Sequence, residues 1–184
     1  VEAAEVEIAR LDAKLSAQSE NSEIATLNAG GFCEDDETLR VLASAYQIAA
    51  LTEGAYDPTV YPLMQLWGFG TEHAQVPQQA AIETALEAVG YEKLPAVKAP
   101  YQLPEGMAID LGGIGKGFAA QTVRRCLQKQ GIQSAVLSLG ANLAFADKFG
   151  VEFSNSGVGS SVKTAAKSAL IIVLLECTLF NISS

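Results

Sequence analysis

The sequence predicts an α+β protein in which helices pack on a mixed or antiparallel sheet. Three observations predict it. Apolar residues recur at helical spacing through most of residues 1–130, short apolar segments near 107–110 and 134–140 read as strands, and 49% of the 184 residues are hydrophobic against 18% charged, enough for a packed core. A chain of this length is close to one domain and can bury about 70% of its unfolded surface without a disulfide or metal staple. Asp and Glu number 21 against 12 Lys and Arg, for a net charge of −9. Such acidity argues against non-specific nucleic-acid binding, which needs a basic face, so no nucleic-acid partner is expected. The charge is uneven: residues 1–80 hold 13 acids and 3 bases (net −10), residues 81–184 hold 8 and 9 (net +1). A polyanionic ligand should therefore prefer the second half.

The elements follow in order. Val6, Ile8, Leu11 and Leu15 fall near helical spacing with charges between them, so residues 2–18 read as a surface helix and not as a signal peptide. The chain opens at Val1 inside that pattern, which places the expected N-terminus upstream. Ser22–Glu23 opens a short element through Leu27, closed by the turn Asn28-Ala-Gly-Gly31. Asp35, Asp36 and Glu37 sit where acids favour a helix start, and Leu39, Leu42, Ala43, Tyr46, Ala49 and Ala50 carry one apolar face through 36–52, terminated at Gly54. In 54–70, Pro58, Pro62, Gly68 and Gly70 forbid a long helix or central strand, yet the segment holds Tyr56, Tyr61, Trp67 and Phe69 and reads as a core plug or a binding loop. Pro77 precedes a helix over 78–89 that Gly90 closes. Residues 93–104 read as a loop or edge strand. Met107–Asp110 is a short strand, and a helix follows from about 115 to 130, with Phe118, Val123 and Leu127 inward, Arg124, Arg125 and Lys129 outward, and Gly131 as its cap. Ser134–Leu139 is a strand ending at Gly140. Residues 154–161 are a Ser/Gly linker, and the apolar run 169–182 is too short for a membrane span of about 20 residues.

Cys33, Cys126 and Cys177 are scattered and form no C-x-x-C pair, which is poor support for a zinc site or disulfide framework. His73 is the single histidine, so histidine triads and clusters have nothing to build on.

The chemistry centres on Asp110-Leu-Gly-Gly-Ile-Gly-Lys-Gly117. A strand, a glycine-rich turn and a helix make a geometry that binds phosphate, because the first helical N–H groups lack internal partners and the helix dipole adds positive charge. Lys116 can add a full charge, and Asp110 can accept hydrogen bonds or help hold a cation. The run is neither a P-loop, since Gly117 follows Lys116, nor a dinucleotide fingerprint, since Phe118 stands where a third small residue belongs.

Taken together, several pieces resemble the ApbE-type FAD:protein FMN transferases: Ser22-Glu-Ile with Leu27-Asn28, Thr52-Glu-Gly-Ala-Tyr-Asp-Pro-Thr-Val60, Leu66-Trp-Gly-Phe-Gly70, Val89-Gly-Tyr91, Asp110–Phe118 and Leu139-Gly-Ala-Asn142. They occur in the family's order over about residues 10–147. The resemblance implies an ApbE-like fold, a partial flavin-transferase domain over 1–150 and an unassigned tail over 151–184. It implies an enzyme that binds FAD as substrate together with Mg2+ and transfers FMN to a Thr or Ser hydroxyl of a target flavoprotein, releasing AMP. The alternative is a non-catalytic FAD-binding module. Carried over by position, Ala55, Tyr56, Asp57, Asp110 and Lys116 are expected to contact FAD, and the Gly113 carbonyl to ligate the metal; no catalytic residue is assigned. The pattern departs from the family at Gln18, where an aromatic residue is usual, and after Gly150, where no Asp/Thr metal segment is matched. Relatives of this type imply a cell-envelope location on the periplasmic side of the inner membrane, held by a lipid anchor outside this chain.

Overall fold

The computed structural model describes residues 2–69, 71–132, 135–139, 142–146, 153–154 and 171–175. In chain order these form α1 (Glu2–Leu15), α2 (Glu23–Asn28), α3 (Asp36–Leu51), a 3-10 turn (Pro58–Val60), α4 (Tyr61–Trp67), α5 (Gln79–Leu86), a second 3-10 turn (Tyr91–Lys93), α6 (Gly112–Lys129) and strands β1 (Ala135–Leu139), β2 (Asn142–Ala146), β3 (Phe153–Ser154) and β4 (Ile171–Leu175). The chain divides into two compact units, one containing residues 12–115 and the other the residues before 12 and most of those from 116 on.

The expected architecture of helices packed on a mixed or antiparallel sheet does not hold. Among the described residues of the 12–115 unit there is no sheet: helices and 3-10 turns make the framework, and the extended backbone contributes one isolated bridge, Cys33 to Tyr101. The strands belong to the other unit, in the order β3-β2-β1-β4, with β1 antiparallel to β2 and parallel to β4. The strand expected at 107–110 is not one. That stretch is extended, but its neighbour is a side chain, as described below.

Within the 12–115 unit, local signals set most boundaries. Ser22 caps α2 by accepting the Ala25 N–H at 2.8 Å, and Asp35 caps α3 by accepting the Thr38 N–H at 2.8 Å. Each such cap contributes about 1 kcal/mol. Lys14, at the end of α1, reaches the Asp35 carboxylate at 2.9 Å and that of Glu37 at 3.0 Å. The buried face of α3 is Thr38, Leu39, Val41, Leu42, Ala45 and Ala49. The expected Ala50 is exposed and Ala43 and Tyr46 are half-buried, so the stripe is rotated by about one residue toward the smaller side chains. Ile24, Leu27, Val41, Ile109 and Leu111 complete a closed core. α4 lasts only seven residues, ended by Gly68 in the left-handed region at φ 69°, where a Cβ would fall 2.6 Å from the His73 carbonyl.

In the other unit, α1 buries Ala4, Ile8 and Leu11 while the expected Val6 is 65% exposed. α6 buries Ala119, Ala120, Val123 and Leu127; Phe118 and Arg124, expected inward and outward, are both half-buried. β1 buries Ala135, Val136, Leu137 and Leu139. Gly70, the Gly140-Ala141 pair, Cys177 and residues 155–161 of the linker lie outside the described residues.

Candidate functional site

The site is assembled by hydrogen bonds between segments far apart in sequence. After α3 the chain turns through Glu53 and Gly54, both at positive φ. The Thr52 hydroxyl accepts the Tyr56 N–H at 3.1 Å, and the Thr52 carbonyl accepts the Ala55 N–H at 3.0 Å. Asp57 then opens the first 3-10 turn. Its Oδ1 accepts the Thr59 N–H at 2.8 Å and the Thr59 hydroxyl at 2.6 Å, and its Oδ2 accepts the Tyr91 N–H at 3.0 Å. Thr59 is fully buried, and its hydroxyl oxygen in turn accepts the Gly90 N–H at 2.8 Å. Asp57 and Thr59 thus stitch residues 57–59 to residues 90–91.

A second pair of contacts brings in Asp110. The Asn28 side chain donates to the Ile109 carbonyl at 2.9 Å and accepts the Ile109 N–H at 2.8 Å, as a neighbouring strand would. The Asp110 N–H donates to the Pro58 carbonyl at 2.8 Å. Asp110 is therefore held beside the 3-10 turn that Asp57 caps.

α6 begins at Gly112, three residues before the expected start, so the glycine run is helix and not loop. Asp110 Oδ1 accepts the Gly112 N–H at 2.7 Å. The Leu111 carbonyl accepts the N–H groups of Ile114 at 3.0 Å and Gly115 at 2.7 Å. Two of the amides expected to face a phosphate, those of Gly112 and Ile114, are thus already used inside the protein. The Tyr56 ring lies against Gly113: a Cβ there would fall 2.5 Å from Cε2. The Tyr56 hydroxyl is buried and has no hydrogen-bond partner among the described residues. Burial pushes it well above the ordinary phenol range, and the nearby Asp110 and Asp57 carboxylates push the same way. Burial also raises Asp110, against the opposing pull of the Gly112 N–H.

The structure therefore brings four of the expected site residues together: Tyr56, Asp57, Asp110 and Gly113. Ala55 is exposed in the turn that leads to them. Lys116 is half-buried on α6 and belongs to the other unit. Asn28, Thr59 and Tyr91 were not expected to carry the site; their partners lie 31 to 81 residues away, and no local pattern signals such contacts. Trp67 is half-buried and stacks on Phe69 with ring centroids 6.1 Å apart and planes 7° from parallel, and His73 is exposed beyond them. Burial pushes the Cys33 thiol up to about 11, which leaves it unreactive.

No group of three or more His, Cys, Asp or Glu side chains is gathered to hold a metal among the described residues. The oxygens of Asp110 and Gly113 nonetheless suit a hard cation of the magnesium kind. Such an ion takes one or two carboxylates from the protein and completes its shell with water and substrate phosphates.

The helical unit with its capped glycine helix defines a class already seen in solved proteins. The chain is similar to the ApbE protein of Thermotoga maritima, with a TM-score of 0.72 and 32% identity over 78% of this chain and 49% of that one. It is also similar to the Vibrio cholerae flavin transferase ApbE, with a TM-score of 0.62 and 29% identity over 78% of this chain and 48% of that one. The sequence profile of the ApbE family matches residues 1–168, and the chain belongs to that family. The FAD:protein FMN transferase of Treponema pallidum is 30% identical over 185 aligned positions, covering 89% of this chain and 51% of that protein. Its counterpart from Escherichia coli K12 is 33% identical over 111, covering 56% of this chain and 31% of that protein. The chain thus spans about a third to a half of the curated relatives it matches.

Proposed function

We propose that this chain serves a magnesium-dependent FAD:protein FMN transferase. The acceptor's Thr or Ser oxygen forms a bond to the phosphorus on the FMN side of the FAD pyrophosphate. The bond from that phosphorus to the bridging oxygen breaks, AMP leaves with that oxygen, and the hydroxyl proton passes to AMP or to solvent. The observation that carries this reading is the convergence of Tyr56, Asp57, Asp110 and Gly113, drawn from two motifs more than 50 residues apart, around one helix start.

The physics favours a cation-bridged phosphate over direct capture by amides. With Gly112 N–H bonded to Asp110, an approaching phosphate meets a carboxylate first and is repelled unless a cation lies between them. Asp110 and the Gly113 carbonyl would hold magnesium, which supplies charge neutralisation on the phosphate oxygens when bound. Asp57 spends its carboxylate on Thr59 and Tyr91, so it shapes the loop and keeps Tyr56 against Gly113, while Tyr56 offers a planar face to a planar ring. Lys116 follows Gly113 by three residues on α6 and is a candidate for a further FAD contact.

The experiment is transfer itself. The protein is incubated with FAD, magnesium and extracts of its own host, and covalently fluorescent polypeptides are sought together with released AMP. Both are expected; neither appearing at saturating FAD and magnesium rejects the reading. A second reading, an FAD-binding module without transfer, is favoured by the lack of a three-ligand metal cluster among the described residues. Calorimetry separates the two, because FAD affinity indifferent to magnesium, with no AMP formed, supports the module. We place the protein at the periplasmic face of the inner membrane through a lipid anchor. No described helix is long and apolar enough to cross a membrane, so recovery of the protein in a washed membrane fraction, released by detergent, is the corresponding test.

A further inference from the structure

The piece Val89-Gly-Tyr91 carries part of the resemblance but has no part in the chemistry proposed above. The turn around it is closed on itself. Lys93 folds back and donates to the Glu87 carbonyl at 2.8 Å and to the Val89 carbonyl at 2.7 Å, two acceptors just past the end of α5. Gly90 leaves the space for this: a Cβ there would fall 3.2 Å from Cε of the Lys93 stem.

This turn grips the 54–57 loop at both ends. The Tyr91 N–H donates to Asp57 at 3.0 Å. The Tyr91 ring lies over Gly54, where a Cβ would fall 3.4 Å from its Cε1, and the Tyr46 ring meets it edge-on with centroids 6.1 Å apart. The loop's other hydrogen bonds are local, such as Gly54 N–H to the Ala49 carbonyl and Ala55 N–H to the Thr52 carbonyl. Among the described residues, the Tyr91 N–H makes the one hydrogen bond that ties residues 54–57 to a segment outside 49–59. Holding a loop in one arrangement before a ligand arrives removes its ordering cost from binding.

We propose that Tyr91 is a positioning residue for FAD. Its ring on Gly54 and its N–H on Asp57 present Ala55 and Tyr56 to the nucleotide, and Lys93 keeps Tyr91 in place. The inference rests on the flavin-transfer reading and adds what holds the loop for binding. Asp110 has anchors of its own, the Pro58 carbonyl and, through Ile109, the Asn28 side chain. A loosened 54–57 loop therefore weakens ground state and transition state alike, which raises KM and leaves kcat unchanged.

The test is the FAD Kd of the whole protein, read by flavin fluorescence on samples that circular dichroism shows to be folded. Tyr91→Ala should raise the Kd about fivefold, and Tyr91→Phe, which keeps the ring, should stay within about twofold of wild type. Lys93→Met keeps the stem and loses both carbonyl bonds at an exposed position, so it folds even where Tyr91→Ala does not, and it should raise the Kd about threefold. In transfer assays the FAD KM should follow these changes while kcat stays within about twofold. A wild-type Kd in the folded variants overturns the proposal, as does a fall in kcat at unchanged KM. Tyr91→Phe binding as weakly as Tyr91→Ala overturns it too, since the hydroxyl and not the ring would then matter. Absence of FAD binding by wild type overturns the flavin reading itself, and this proposal with it.

Discussion

Two corners of the 12–115 unit each place an aspartate at the start of a helix, and the two are in opposite electrostatic states. Asp35 caps α3 and has Lys14 at 2.9 Å. Burial pushes its carboxyl up, but the Thr38 N–H, the Lys14 ammonium and the Thr38 hydroxyl outweigh it and hold it at about 2. Asp110 caps α6 with the same kind of bond, to the Gly112 N–H at 2.7 Å, but faces a buried phenol, and burial leaves it raised. The first corner is complete in itself. The second has a hydroxyl unpartnered among the described residues, a carboxylate raised by burial and a glycine with an aromatic ring close against it, the kind of perturbed cluster that marks a candidate binding corner. What separates the two caps is the neighbour: Asp35 has the Lys14 ammonium beside it, whereas Asp110 has the buried Tyr56 phenol.

The largest expected effect comes from removing the brace that holds the second corner. Asn28→Ala deletes both bonds to fully buried Ile109 and leaves its N–H and carbonyl unpaired, at a cost of about 2–3 kcal/mol. Hydrogen exchange should show protection lost over residues 109–112 and retained over 38–42 beside Asp35. Equal loss in both segments would mean that the two corners unfold as one and that the contrast has no local basis.

A smaller effect tests the press of Tyr56 on Gly113. Alanine at a helical glycine ordinarily gains up to about 1 kcal/mol, whereas the overlap at 2.5 Å should cost about 1–3 kcal/mol. Gly113→Ala should therefore destabilise the native protein and become neutral or stabilising in a Tyr56→Ala background. Urea unfolding of the four variants gives the coupling, expected at about 1–2 kcal/mol. Additive effects would remove the ring from this contact.

The two corners were also unequally legible in the sequence. Ser22, Asp35 and the acids after it announced α2 and α3, because a cap is a contact over three residues. The glycines at 112–117 argued for a loop, since each costs a helix about 1 kcal/mol, but Asp110 and the Leu111 carbonyl hold the first turn closed against that tendency. The strand read into 107–110 failed for a related reason: its apolar pattern is real, but the partner that keeps it extended is one Asn side chain 81 residues away. The candidate residues that the structure gathers at one helix start, Tyr56, Asp57, Asp110 and Gly113, all come from the two motifs. The helix-on-sheet architecture read from the pattern does not hold, because periodicity finds elements without saying which unit each joins.

The smallest and sharpest comparison neutralises each aspartate in turn. Asp35→Asn loses the Lys14 pair and part of the cap and should cost about 1 kcal/mol at pH 7, since the pair is partly exposed. Because the folded carboxyl sits at about 2 against an ordinary value of about 3.9, that stability is fully present above the ordinary range. It is lost as pH falls toward 2, where variant and wild type should converge. Asp110 has the opposite sign. Its raised carboxyl means the native state holds the proton more tightly than the unfolded chain, so ionisation penalises folding as pH rises through the carboxylate range. Asp110→Asn keeps an oxygen for the Gly112 N–H, and its Tm at pH 7 should exceed that of wild type, with the gap closing below about pH 4. Millimolar magnesium should raise the wild-type Tm and leave Asp110→Asn unmoved, since only a cation bound to the native state can stabilise it. If Asp110→Asn instead melts lower at pH 7, and magnesium shifts both proteins alike, then Asp110 is a second Asp35 and the cation belongs elsewhere.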